Sequence, residues 1–189
     1  MIERWGQRLA RWSKWWVVLV TGLTFLAFIL FVLPQQAQRS DGYAEEVGSA
    51  DTSFFLDPAQ LYDMAEAYGP DGRKQYIRTR WTFDVLFPLI YSSFFMSAIS
   101  FSLSRLFPER PKIAGAALIA VAALLADLLE NSLMSLVMAL YPIEIEVLAA
   151  AALVVSMLKW LLVAMAMAAA GAGMLLLAIS KFRRLLKGA

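Results

Sequence analysis

The run WWVVLVTGLTFLAFILFVL, Trp15 to Leu33, carries no charged side chain and stops at Pro34. A helix needs roughly 20 predominantly apolar residues to cross the hydrocarbon core of a bilayer, and this run has that length. Working outward from it, three more runs qualify, so spans are expected at about 15–33, 82–104, 113–141 and 147–180. The last two exceed the minimum and must tilt or protrude. Ala- and Leu-rich runs of this length favour helix, whereas a barrel needs alternating segments of ~10 residues. The expected fold is therefore an all-α integral membrane protein. It forms one domain over 1–189, a four-helix transmembrane bundle with a partly helical cap at 34–81.

Composition agrees. Of 189 residues, 60% are hydrophobic and 17% charged, against about 45–50% and a quarter in soluble domains. The mean hydropathy is +0.63, which excludes an ordinary soluble globule and intrinsic disorder. The chain has neither Cys nor His. Disulfides, thiol chemistry, haem, imidazole-zinc sites and Ser-His or Cys-His catalysis are excluded together.

Basic residues set the expected orientation. Arg4, Arg8, Arg11 and Lys14 precede the first span, Arg105, Arg110 and Lys112 lie between the second and third, and Lys181, Arg183, Arg184 and Lys187 follow the fourth. With four spans these segments share one side, which the positive-inside rule makes cytoplasmic. Both termini are then inside a cell (inner) membrane, and the long loop is periplasmic or extracellular. A signal peptide is the competing reading of the first run. The run is too long for a typical apolar h-region, however, and Gln35-Gln36-Ala37 lacks a small-x-small cleavage pattern, so a retained anchor is expected. Trp5, Leu9, Trp12 and Trp16 recur at helical spacing opposite Arg4, Arg8 and Arg11, the pattern of an interfacial helix.

The 34–81 loop is too long for a plain connector, which favours a cap, a lid or a binding surface; a solvated loop with a short surface helix is the alternative. Gln35 to Ser53 reads as irregular. Asp57-Pro58-Ala59-Gln60 is a helix start, with Asp57 as N-cap, Pro58 at the first position and Gln60 three residues after the cap. Leu61, Met64, Ala65 and Tyr68 line one side, and the helix is expected to stop at Gly69-Pro70. After a turn Pro70-Asp71-Gly72, a segment from Arg73 to Trp81 runs into the second span. Phe54-Phe55-Leu56 is apolar enough to cover the bundle.

Ionisable residues at membrane depth cost ~2.5–3.5 kcal/mol each at a helix centre, so they face protein and find partners. Asp84, Asp127, Glu130 and Lys159 qualify, accompanied by Asn131. At ~1.5 Å per residue from the basic edges, Asp127 and Glu130 lie ~22 and ~27 Å out, and Asp84 and Lys159 ~31 and ~33 Å out. Lys159 is expected to pair with Glu130 or Asp127, and a remaining acid to be protonated or paired with Arg78 or Arg80. Ala116, Ala120, Ala123, Asp127, Glu130, Asn131, Met134 and Met138 share a stripe on the third span. Asp84, Pro88, Tyr91, Phe95 and Ala98 share a face of the second, where Pro88 frees the Asp84 carbonyl. The serines of that span read as interhelical glue or carbonyl back-bonding. Ser156, Lys159 and Val163 share a side of the fourth span, and the stretch around Gly171 and Gly173 suggests close packing.

Such a cluster fixes helix register, forms a ligand pocket, or carries protons or cations. Four spans without an internal repeat weigh against a transporter, unless it is oligomeric. A metal site lacks His and an Asp-x-Asp pattern, and Lys159 would compete with a cation at Asp127 and Glu130. Nucleic-acid binding is excluded because the basic residues occupy membrane flanks. No cofactor is expected.

The segments Tyr68 to Arg73 with Tyr76, Asp84 to Tyr91 (DVLFPLIY) and Asp127 to Asn131 (DLLEN) resemble a group of prokaryotic four-span membrane proteins of unknown activity. At the level of topology the chain is similar to the EXPERA group, the emopamil-binding and sigma-2-type proteins, though it lacks His. That resemblance implies an intramembrane pocket for sterols or amphipathic amines, with Asp84, Asp127 and Glu130 as the analogous acids. The leading expectation is a lipid-like or amphipathic small molecule bound in the outer half of the bundle. Asp84, Tyr91, Asp127, Glu130, Asn131 and Lys159 would contact it, and residues 54–68 would cover the entrance. A lipid-modifying enzyme using carboxylate acid/base chemistry and a non-catalytic scaffold subunit are the alternatives. Carboxyl-to-amide changes that abolish turnover but spare folding would mark the first, and a stoichiometric partner the second.

Overall fold

A computed structural model describes residues 14–36 and 56–188. The stretch Trp5 to Trp12, Phe54-Phe55 and residues 37–53 lie outside the described residues. Among those described there is no strand. Helix α1, Trp15–Ala27, continues through a π-helical turn, Phe28–Val32, and on to Gln36. It therefore outruns its expected end at Leu33 by three residues. The widened turn, in which the Leu33 N–H donates to the Phe28 carbonyl, directly precedes Pro34, whose missing N–H removes the usual donor to Leu30.

Helices α2 (Pro58–Ala67) and α3 (Gly69–Arg80) follow. Asp57 accepts from the Gln60 N–H at 2.8 Å, and the Asp57 N–H donates to Gln60 Oε1 at 3.0 Å, a complete capping box. Gly69 adopts φ +64°, a left-handed geometry that a side chain would strain. That one residue turns the chain, so α3 begins there. Pro70-Asp71-Gly72, read as a turn from sequence, is its first helical turn.

Helix α4 (Phe83–Leu106) contains Pro88, and a 3₁₀ stretch, Pro111–Ala117, leads into α5 (Leu118–Leu140). Helix α6 (Glu146–Gly188) is 43 residues long, roughly 65 Å at 1.5 Å per residue. The 3₁₀ stretch corrects one expectation. Ala116 is exposed, while Ala114, Ala117, Ala120 and Ala123 are buried, because three residues per turn replace 3.6 before Leu118.

Among the described residues, four helices are long and apolar enough to cross a membrane. Their outward faces suit that setting. On α5, Leu125, Leu129 and Leu136 are exposed while Asp127, Glu130 and Asn131 are buried, the inverse of a soluble amphipathic helix.

The chain divides into two compact units that each draw on several helices. In the unit built from Ile90–Ala123, the chain up to Phe25 and the chain from Leu162, Phe25 stacks on Phe94 (centroids 5.3 Å) and meets Phe95 edge-on. The Thr21 and Ser97 hydroxyls lie 2.9 Å apart, and Ser102 and Ser104 bond back to the Ala98 and Phe101 carbonyls. Gly173 packs on Ser102, whereas a Cβ at Gly171 would meet nothing within 4 Å. Of the two glycines, Gly173 is the one that packs closely.

In the unit formed by Leu26–Leu89 and Leu124–Leu161, α2 buries Leu61, Met64, Ala65 and Tyr68 with Met134, Val137 and Met138 of α5 and Ala149 and Ala152 of α6. Leu56 packs at the edge of this core. The Tyr62 hydroxyl takes the Ile145 N–H at 2.7 Å and lies 3.1 Å from its carbonyl. Arg73 donates to the Ala65 carbonyl at 2.7 Å and lies over the Tyr141 ring.

Candidate functional site

The polar centre of the second unit is built from two consecutive residues of α5. Glu130 and Asn131 are both fully buried. Successive helical positions point about 100° apart, so the pair reaches two different neighbours.

Glu130 reaches α6, where its Oε2 forms an ion pair with Lys159 Nζ. Both side chains are withdrawn from solvent. Lys159 chooses Glu130 over Asp127, which is buried one turn earlier on α5. The Lys159 ammonium also lies 5.1 Å from the Trp160 ring, within range of a cation–π attraction. Glu130 Oε1 has no hydrogen-bond donor among the described residues.

Asn131 reaches α4. Its side-chain N–H donates to the Asp84 carbonyl at 2.8 Å, the acceptor that Pro88 leaves without its usual i+4 donor. Its Oδ1 lies 3.5 Å from Arg80 Nη1. The same guanidinium nitrogen is 3.2 Å from Asp84 Oδ2, and the group sits over the Tyr76 ring at 4.5 Å. Arg80 is only 3% exposed, although it ends α3 just before the turn at Trp81-Thr82. Of the two arginines weighed as partners from sequence, Arg80 turns inward and Arg78 stays exposed.

The structure thus brings Asp84, Glu130, Asn131 and Lys159 together around one α5 turn, with Asp127 buried next to it. Tyr91 falls in the other unit, where its ring meets Phe95 at 5.8 Å. Tyr76 joins the centre without having been assigned to it, and Arg80 is the one of the two weighed arginines that enters it. The signal for Arg80 was present in the i, i+4 spacing of Arg80 and Asp84, which faces opposite charges on a helix.

Comparison of the chain with protein-family models, curated proteins and solved structures returned no match. The site must be read from its own chemistry.

That chemistry is one of matched charges. In an apolar interior a carboxylate or guanidinium persists only when paired and hydrogen-bonded, and Lys159 and Arg80 supply the two cations. Each pair joins separate helices or crosses the α3–α4 break. Two surface clefts lie in the same unit, neither lined by these residues. One, of about 510 Å³, is bordered by Asp57, Tyr62, Glu144 and Glu146. There Asp57 caps α2 and Tyr62 binds the Ile145 backbone. The other, of about 670 Å³, is lined by Gln36, Lys74, Gln75, Arg78, Thr79 and Thr82.

Proposed function

We propose that this chain is a multi-span protein of the cell (inner) membrane, with both termini cytoplasmic, that binds a lipid-like or amphipathic small molecule. The molecule's head carries an O–H or N–H donor. The observation that supports this is the second carboxylate oxygen of Glu130. It is fully buried, charged through its partner Oε2 to Lys159, and without a hydrogen-bond donor among the described residues. Buried acceptors are ordinarily satisfied, and an unsatisfied one points to a group that binds there. A hydroxyl or ammonium donating to Oε1 would complete it, with Lys159 and Asn131 beside it and the apolar remainder against the spans. The resemblance to proteins that hold sterols or amphipathic amines on intramembrane acids supports the same ligand class. The asymmetric placement of basic residues supports the orientation.

The test is native mass spectrometry of the gently extracted protein. The wild type should release a defined small molecule. Glu130→Gln strands the Lys159 ammonium, so the double variant Glu130→Gln, Lys159→Met, which removes both charges together, serves beside it. Loss of the molecule from a folded double variant supports the reading. A wild type that carries no such molecule, or a double variant that retains it, overturns it.

A further inference from the structure

We infer that the cleft between the end of α1 and the outward face of α3 is a separate binding site for the phosphate-bearing head of an anionic phospholipid. This goes beyond the Glu130 ligand and shares with that reading only the membrane setting.

The cleft's lining decides the sign of its ligand. Among the described residues, Gln36, Lys74, Gln75, Arg78, Thr79 and Thr82 line it with two cations, two amides and the Thr79 hydroxyl, and no carboxylate; the Thr82 hydroxyl donates back to the Arg78 carbonyl at 2.8 Å. Lys74 is partly compensated by Asp71 at 3.1 Å, where both side chains are largely in solvent, so that pair is weak. The Arg78 guanidinium makes no ion pair among the described residues. Its planar fork of N–H donors matches two phosphate oxygens at once.

The surroundings of the cleft decide that the anion is the head of a lipid. Val32 lies one turn back from Gln36 on α1, and Leu86 and Leu89 lie one and two turns on from Thr82 on α4. All three are exposed apolar side chains. Phe28 of α1 stacks on Phe83 and Phe87 of α4 at 5.3 and 5.4 Å, so these two helices run side by side below the cleft. Trp81, 53% exposed at the α3–α4 turn, is the residue type that prefers the level of lipid headgroups. A polar basic pocket at the end of an exposed apolar seam matches a phosphate followed by acyl chains, whereas free phosphate would use only the first part.

The experiment reconstitutes the full-length protein in nanodiscs of equal phosphatidylglycerol and phosphatidylcholine with identical acyl chains. Lipids retained after mild detergent extraction are then weighed by mass spectrometry. The wild type should retain phosphatidylglycerol preferentially. Lys74→Gln and Arg78→Gln should each lower that preference roughly fivefold, the weight of one basic side chain near an anionic surface. Both positions are exposed, so the fold survives, and unchanged helical circular dichroism verifies it. Lys181→Gln, Arg184→Gln, the same charge loss at the far end of α6, should leave the preference unchanged. Equal retention of the two lipids by the wild type overturns the assignment, and so does a preference that survives both cleft changes. Displacement of the retained lipid by inorganic phosphate alone would show a free-anion site instead. The Glu130 ligand is a different mass and is read in the same spectra, so the two readings fail separately.

Discussion

Asn131 on α5 donates its side-chain amide, at 2.8 Å, to the one α4 carbonyl that Pro88 deprives of a helical partner, that of Asp84. A proline inside a spanning helix exposes an acceptor where no water is at hand. Here a neighbouring helix supplies the donor, and the exposed carbonyl becomes a fixed point between α4 and α5. Asn131→Leu should therefore destabilise the protein by about 1–3 kcal/mol, the cost of stranding a buried acceptor. The decisive measurement is a double-mutant cycle in a detergent unfolding titration. Pro88→Ala restores a backbone N–H for Asp84, so it should be about 1 kcal/mol more favourable in the Asn131→Leu background than in the wild type. Strict additivity would show that the contact carries no weight.

The buried Glu130–Lys159 pair predicts an asymmetry of a different kind. Lys159→Met alone leaves a carboxylate in an apolar interior and should cost about 3–5 kcal/mol. Lys159→Met combined with Glu130→Gln removes the charge with its partner and should recover most of that loss. Equal stability of the single and double variants would mean that the two side chains do not depend on one another.

Arg80 is the member of the centre that sequence reasoning left in competition with Arg78, and the reason is physical. Both stand near the end of an otherwise polar helix, and nothing local states that Arg80 is the one whose side chain faces inward onto Asp84 and Tyr76. The elements that were legible depend on local rules. They include the apolar runs, the capping box at Asp57 and the acceptor freed by Pro88. The choice of Glu130 over Asp127 by Lys159 depends on how α5 and α6 are rotated. The 3₁₀ stretch before Leu118 depends on a change of helical period. Neither is written in spacing alone.

For the same reason Arg80→Lys should not behave as a conservative change. A lysine keeps the charge, but it lacks the flat guanidinium that faces Asp84, Asn131 and the Tyr76 ring at once. A loss of about 1–3 kcal/mol is expected, and it should shrink when Asp84 is already Asn. Thermal unfolding of the four proteins in detergent checks it. An undiminished loss in the Asp84→Asn background would detach Arg80 from Asp84.

The two glycines of the small-residue stretch on α6 should respond with opposite signs. A Cβ at Gly173 would run into the Ser102 hydroxyl of α4, while one at Gly171 meets open space. Gly171→Ala removes backbone freedom from the unfolded chain at no steric cost, and should stabilise the helix by up to about 1 kcal/mol. Gly173→Ala gains the same propensity but must push α6 away from Ser102, and overpacking of this kind typically costs about 1–3 kcal/mol. The clash is with a small side chain, so Ser102→Gly should relieve it. Gly173→Ala in that background should then be as well tolerated as Gly171→Ala. If Gly173→Ala is equally harmless with Ser102 in place, the close approach of α4 and α6 at this point is wrong, since no other neighbour would oppose the added methyl group.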